Sequence, residues 1–519
     1  MPTEINFSED TRQGIKDGIN KVADAVKITL GPRGKFVVIE QDYGPPLLTA
    51  DGARVIEEIT LDNKFESLGA EVQKDIARKV SELSGDGRTA ACIITQSLVN
   101  EGFKNVTAGA NAVAIGRGLT LAKEAVTQYL SLQVKKPSQE QVIQVASVAS
   151  GSKELGVHIA SMLEEVGPDG LITVEESKVL GISEEVVKGF QIDRGYLPPY
   201  VMTKDSEIVA KDVLVLITDK HITQTEEIAP VVERVLATGV KEMVMVADDV
   251  SHEALSWLNQ CKINGAFVTI IIKKPGVGDD GKNQLEDLAT FTGAKIISEA
   301  LGSKLPEAGL DVLGKVERFI SNKQRTVLLG GAGKEVDARV EQLKNEIKNS
   351  QADFDKDKLK QRLAKLTSGI GVLRIGVATD SQKGILDKAR DALNAARGAI
   401  EQGIVAGGGV SLISAIKAIN KLELMGDEKV GADLLRHALE QPLRRLAINS
   451  GADEGVVLHR IKTSTENIGF NAETQEYGDM VELGIIDSVK TVKATVDIPA
   501  SAVATLLNAG AGIVKKEKI

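Results

Sequence analysis

Aromatic side chains are scarce in this sequence. Phe, Trp and Tyr together make up 3% of it, so its cores are expected to be built from Ala, Val, Ile and Leu. Cysteine is scarcer still: Cys92 and Cys261 are the two present, with small or apolar neighbours and no partner at metal-ligand spacing. That excludes a disulfide scaffold and a zinc site, and leaves two reduced, buried thiols as the expectation. The longest apolar run, Ala266 to Ile272, is about a third of the ~20 residues a membrane-spanning helix needs. A basic excess is missing as well: 63 Lys and Arg face 73 Asp and Glu, a net charge of −10, which argues against a nucleic-acid partner. Met1 to Asp10 is acidic and polar, giving neither a secretory signal nor an Arg-rich transit peptide. A cytoplasmic protein with no membrane partner is expected.

What is present points to a folded chain of several domains. At 519 residues, 42% hydrophobic and 26% charged, the sequence exceeds one ordinary core. Ile15, Ile19, Val22 and Val26 recur at helical spacing after a Ser8-Glu9-Asp10 start. Phe65, Leu68, Val72, Ile76, Val80 and Leu83 predict a long amphipathic helix ending at Gly85, with another from Ala90 to Val99. The middle of the chain changes character. Val213 to Ile217, Met243 to Val246, Phe267 to Ile272 and Lys295 to Ile297 read as short strands alternating with helices, which predicts an α/β domain with a largely parallel sheet. Val336, Val340, Leu343 and Ile347, then Leu359, Leu363 and Leu366, predict a helical hairpin turning at Asp353 to Asp357. The final third returns to Ala-rich helix. Gly189 on one side of the α/β block, and Gly369 and Gly371 on the other, suit either a hinged insertion or ordinary turns.

One tempting motif fails on electrostatics. Gly276-Val277-Gly278-Asp279-Asp280-Gly281-Lys282-Asn283 lies between a strand and a helix and nearly matches a phosphate loop, with Glu299 spaced as a ribose-binding acid would be. Asn283, however, lacks the hydroxyl that ligates magnesium. Asp279 and Asp280 would also set two negative charges against a pyrophosphate, more than the ~0.5 positive charge of a helix N-terminus offsets. A dinucleotide-binding dehydrogenase is therefore rejected.

A better site is split between the two ends of the chain. Thr29-Leu30-Gly31-Pro32-Arg33-Gly34 is small enough for its amides to approach a phosphate closely. Gly85-Asp86-Gly87 opens into a helix N-terminus, where free amides favour anions. A carboxylate among phosphates makes sense with a cation between them, so Asp86 reads as a magnesium ligand. Asp51, beside Gly52, and Asp391, on an Ala-rich helix, are placed to position or deprotonate an attacking water.

Taken in order, Thr29–Gly34, Ala50–Gly52, Gly85–Ala91, Asp193-Arg194-Gly195-Tyr196, Asp391, Val405–Gly409, Asn471–Ala472 and Gly484–Asp487 resemble the group I (bacterial-type, GroEL-like) chaperonins. The resemblance runs from about residue 5 to about residue 510. It implies a multidomain α/β fold: a mainly α-helical equatorial ATP-binding domain (1–132 and 402–519), a small α/β intermediate hinge domain (133–187 and 371–401) and an inserted α/β apical polypeptide-binding domain (188–370). It also implies an ATP-hydrolysing chaperone of two stacked seven-membered rings, with Mg2+ and K+ as cofactors, a GroES-type co-chaperonin, and non-native polypeptides as clients.

Carried over by position, Asp86 would hold magnesium, Asp391 would activate water and Asp51 would assist. Thr29, Leu30, Gly31, Pro32, Gly87, Arg88, Thr89 and Ala90 would surround the phosphates, with Thr29 and Thr89 holding potassium or phosphate. Gly408, Asn471, Ala472, Ile485 and Asp487 would meet the nucleoside. Tyr196, Tyr200, Val201, Ala229, Val232, Leu255, Asn259 and Gln260 would form the client groove. Gly189 with Gly369, and Pro137 with Gly403, would be hinges, and Arg444 and Asp453 would lie at the contact between rings. The Gly276 loop becomes an apical turn.

The sequence departs from the family at these places. Arg88 and Ala90 replace two threonines around Thr89, and Ala50 replaces a lysine. The lost contacts are worth on the order of a few kcal/mol to a phosphate. Arg88 either restores positive charge there or obstructs the phosphates. Asn259 and Gln260 each remove about 1–2 kcal/mol of apolar burial from the groove, which suits a divergent member with a narrowed client range. The alternative is a chaperonin-shaped assembly that no longer cycles ATP.

Overall fold

Strand Thr3–Phe7 pairs antiparallel with Ala511–Lys515, so backbone hydrogen bonds join regions from the two ends of the chain. The computed structural model describes residues 3–41, 46–167, 170, 172–177, 179–197, 207–276, 278–298, 302–349, 353–367, 369–376, 384–465 and 467–515. Two compact units result: Met1–Pro168 with Val174–Ser183 and Leu373–Ile519, and Asp169–Thr173 with Glu184–Val372. Among the described residues no helix is long and apolar enough to cross a membrane.

The first unit is mainly helical. Helix Ser8–Val26 buries Ile15, Ile19, Val22 and Val26, as their spacing predicts. Helix Lys64–Ser84 starts where the Asn63 side chain accepts from the Phe65 and Glu66 amides, and buries Phe65, Ile76 and Val80. Leu83, placed on that stripe by sequence, is 52% exposed instead, because it falls off the buried face in the last turn. The next helix runs Arg88–Thr107 and so begins before Ala90. Its Ile94 and Leu98 share one core with Ile115, Leu119, Leu412, Leu435 and Val496, residues drawn from both ends of the chain. Each such side chain contributes about 1.5–3 kcal/mol by leaving water, so aliphatic bulk stands in for missing aromatics.

The second unit is built on a sheet. The strands of that sheet lie in the order Val268–Lys273, Glu242–Ala247, Glu207–Ile217, Gly314–Asn322, Thr326–Gly331, Ile182–Ile192, Gly369–Gly376 and Ile172–Ser177. Along Glu207–Ile217, Val213, Val215 and Ile217 pack into one core and Leu216 into another, so both faces are buried. The sheet is mixed rather than largely parallel. Its first three strands run parallel, and the next three pairings are antiparallel. A reversing strand such as Gly314–Asn322 mixes Val316, Phe319 and Ile320 with charged residues, and hydrophobicity alone does not encode the direction in which a strand runs.

Two more expectations are corrected here. Lys295–Ile297 forms a single bridge from Ile297 to Thr218, not a strand, because the Lys295 amide turns away to the Val312 carbonyl. Asp353 to Asp357 are not a turn but the first residues of helix Asp353–Thr367, which packs on Val336–Asn349. Asp287, only 1% exposed, anchors that pair: it accepts from Arg362 Nε and Nη2 at 2.7 and 2.8 Å and from Arg339 Nε at 2.9 Å. Both cysteines are free; Cys92 is buried, its thiol pushed up to about 12 by desolvation, while Cys261 is half-buried rather than buried.

Candidate functional site

Asp86 sits in a three-residue gap between helices Lys64–Ser84 and Arg88–Thr107. Gly85 closes the first with φ of 78°, and a Cβ there would lie 2.3 Å from the Asp391 carbonyl oxygen. Only glycine allows that approach, which sets helix Gly384–Gln402 against the turn. The Gly87 amide donates to Asp86 Oδ1 at 2.6 Å. Gly87 then leads into helix Arg88–Thr107 with no side-chain cap, so the first amides of that helix stay available to an anion.

Asp391 is reached by two donors. Ser81 Oγ donates to its Oδ1 at 3.1 Å and Arg88 Nη2 at 3.2 Å, while Arg88 Nη2 also bonds Ser81 Oγ. Burial pushes Asp391 up to about 7, opposed by Arg88 and Ser81 and reinforced by the charges of Asp86 and Asp51. Arg88 Nε is buried without a partner, a loss of about 1–3 kcal/mol for an unmet donor.

The remaining acids converge on the same place. Asp51 caps helix Gly52–Glu58, its carboxylate accepting from the Ala53 amide at 2.9 Å. A Cβ on Gly52 would stand 2.4 Å from Thr89 Oγ1 and 3.2 Å from Thr29 Oγ1, so Thr29, Asp51, Gly52 and Thr89 form one cluster. Asp487 lies on strand Ile486–Ser488, paired with Ile404–Ala406 so that it faces Val405 in the register. Burial and the charge of Asp86 push Asp487 up to about 7, while burial raises Asp86 itself against Gly87 and Arg88.

The other candidates carried over from the two ends of the chain are held by local contacts. Thr29 is buried, Leu30 half-buried, and Gly31 and Pro32 are exposed in a turn closed by the Gly34 amide on the Gly31 carbonyl at 3.0 Å. Gly408 follows strand Ile404–Ala406 with φ of 63°, and the Gly407 amide bonds the Ile485 carbonyl at 2.9 Å. Asn471 Oδ1 accepts from the Glu473 amide at 2.9 Å, and Ala472 is buried.

Several residues here were invisible in the sequence. Ser81 binds Asp391 across 310 positions. Asn449 Nδ2 holds the Lys27 and Leu30 carbonyls at 3.1 and 2.9 Å. Arg33 Nη2 bonds the Glu473 carbonyl at 2.6 Å, tying the Thr29–Gly34 loop to the Asn471 segment. Each is a polar residue on a helix or turn whose role depends on a partner far along the chain, so no local spacing signals it.

The donor set fits a Mg2+-bound nucleotide. Asp391 feels the charges of Asp86 and Asp51, and Asp487 feels that of Asp86, so a cation beside Asp86 would relieve that repulsion. Among the described residues no three or more His, Cys, Asp or Glu could hold a metal by themselves. Magnesium commonly takes one or two carboxylates and completes its shell with phosphate and water, which suits a lone Asp86 ligand.

The chain matches the model of the TCP-1/cpn60 chaperonin family over residues 22–517, nearly its whole length. The chain belongs to that family. This chaperonin is also similar to the chaperonin gp146 from the bacteriophage EL 2 (Pseudomonas aeruginosa), crystallised in the presence of ATP-BeFx. At 19% identity, with 99% of each chain covered, the TM-scores against two crystal forms are 0.69 and 0.63. The fold is therefore the chaperonin fold, and the chain is a protein-folding chaperone of that family.

The other positions carried over from the family are placed less uniformly. Of the client-groove positions, Tyr196 and Val232 are only 6% and 4% exposed, each packed in a core of the second unit, so neither offers a surface to a client here. Ala229, Leu255 and Asn259 are half-buried and Gln260 is exposed, while Tyr200 and Val201 lie outside the described residues. Gly189 and Gly369 lie within strands and have no positive φ, so neither is a turn glycine. Their role is close packing: a Cβ would meet Ile370 at 2.1 Å and Val186 at 2.4 Å respectively. Pro137 and Gly403 flank the bridge Lys135↔Ile404, where two segments of chain run side by side. Arg444 pairs with Glu440 and Glu454 at 3.2 and 3.4 Å, and Asp453 caps helix Glu454–Thr463. The Gly276 loop runs straight into helix Gly278–Thr292; Val277 and Glu299 lie outside the described residues.

Proposed function

We propose that this chaperonin binds Mg·ATP in the Asp86 cradle and hydrolyses it to ADP and inorganic phosphate to drive folding of non-native polypeptides. One observation carries the reading: four carboxylates from both ends of the chain converge on an uncapped helix N-terminus. The relative crystallised with ATP-BeFx supports it. Magnesium, when bound, supplies charge neutralisation between the phosphates. Asp86 holds it. Asp391 takes a proton from the attacking water, a role suited to a carboxylate raised to about 7, and Asp51 orients that water. Thr29, Leu30, Gly31, Pro32, Gly87, Thr89 and Ala90 line the phosphates, with K+ at the Thr29–Thr89 cluster. Gly408, Asn471, Ala472, Ile485 and Asp487 bound the nucleoside.

The larger assembly follows the family pattern. It is a cytoplasmic homo-oligomer of two seven-membered rings with a GroES-type lid, divided at 132/133, 187/188, 370/371 and 401/402. Hinges lie near Gly189 with Gly369 and near Pro137 with Gly403. Leu255 with Asn259 and Gln260 gives a client surface more polar than usual, and Arg444 and Asp453 face the second ring. Refolding of a denatured client tests the function: ATP raises the yield on this account, and a yield indifferent to ATP refutes it.

A second reading is favoured by one contact. Arg88 occupies Asp391, as it would in an assembly that no longer cycles. ATP turnover separates the two.

A further inference from the structure

We propose that Arg88 is the residue by which this chaperonin senses the terminal phosphate, giving up its bond to Asp391 for one to that phosphate. The proposal rests on the nucleotide reading of the Asp86 cradle.

The present pairing is half-used. A guanidinium can offer a planar fork to one acceptor, but among the described residues Arg88 bonds through Nη2 alone, shared between Asp391 Oδ1 and Ser81 Oγ. Its Nε is buried without a partner. The side chain is 28% exposed and that of Asp391 22%, so the pair lies at the edge of the site rather than locked in a core. A terminal phosphate brings about two negative charges and three acceptor oxygens, against one charge on Asp391. The fork and the unmet Nε both favour the phosphate.

Position selects the terminal phosphate over the others. Arg88 is the first residue of the helix whose amides face the cradle, and its present partner is the proposed base. A base for the attacking water stands beside the phosphate that reacts, so a guanidinium leaving Asp391 is already next to it. Transfer also frees Oδ1 from one of its two donors, leaving it open to water. Base and phosphate contact are thereby linked: Asp391 is released when there is something to hydrolyse.

The test is a comparison of Kd for Mg2+ with the non-hydrolysable β,γ-imido analogue of ATP and for Mg2+ with ADP. It uses the full chain and its Arg88→Thr and Arg88→Lys variants, with melting temperatures to confirm folding. Arg88→Thr is expected to weaken the triphosphate about 10- to 100-fold and ADP much less. Arg88→Lys, which keeps charge without the fork, is expected to fall between, and decides the matter if the Thr variant does not fold. An unchanged triphosphate-to-ADP ratio in the folded variants overturns the proposal, as does a tighter triphosphate, which would make Arg88 an obstruction. A wild type that binds neither nucleotide overturns the site reading itself, and this inference with it.

Discussion

Arg88 Nη2 stands 3.2 Å from Asp391 Oδ1 across 303 positions of sequence. The pair joins the first residue of the helix that opens on the proposed phosphate cradle to the acid proposed to activate water. Helix Gly384–Gln402 comes that close only because Gly85 has no side chain.

Asp86 is the sole protein ligand proposed for magnesium. Asp86→Asn should weaken Mg2+-dependent nucleotide binding by more than the ~10-fold that even an outer-shell change costs. Binding measured in chelator should change far less. Equal losses with and without Mg2+ would assign Asp86 to the fold instead.

Asp391 and Asp487 make stability fall as pH rises. Both are pushed from 3.8 up to about 7, chiefly by burial, so the folded chain holds those two protons more tightly than the unfolded chain. Their stabilisation is complete below the unfolded value and is lost as pH climbs through about 7. Without nucleotide or Mg2+, the melting temperature should drop from about pH 6 to about pH 8, and less steeply in the Asp391→Asn, Asp487→Asn double variant. Parallel slopes would contradict this.

The second unit hangs on Asp287. Its removal in Asp287→Ala strands the buried Arg362, while Arg339 keeps Glu286, at a cost of about 3–5 kcal/mol. Trp257, the single tryptophan, packs in this unit and reports its urea unfolding by fluorescence. A midpoint close to that of wild type would show the network to be dispensable.

Client capture should respond to the half-buried Asn259 and the exposed Gln260 and not to the buried residues. Asn259→Leu with Gln260→Leu restores about 1–2 kcal/mol of apolar burial per side chain and should tighten binding of a denatured protein. Val232→Ala should lower the melting temperature instead, since Val232 is in the core. Capture unchanged by the leucines would move the client surface elsewhere.

Helices were legible because their signals are local. The Ile15 to Val26 stripe and the Gly85 stop depend on neighbours a few residues away. The sheet was legible only as a set of strands. Direction in Gly314–Asn322 and the single bridge at Ile297 are set by distant partners that leave no periodicity. At the site, Asp86, Asp51, Asp391 and Asp487 could be named through their glycine settings and the family resemblance. Ser81, Arg33 and Asn449 could not, since each acts on a backbone or carboxylate hundreds of positions away. Tyr196 and Val232 are buried in this structure, and matching a family position says nothing about whether a side chain points outward.

ATP turnover by the wild type against Asp391→Ala, read as release of inorganic phosphate, tests the central claim most directly. A general base contributes about 10²- to 10⁴-fold, so the variant should be slower by that factor while still binding nucleotide. A wild-type rate no higher than the variant's would contradict an ATP-driven cycle at Asp86 and leave a chaperonin fold that does not turn over.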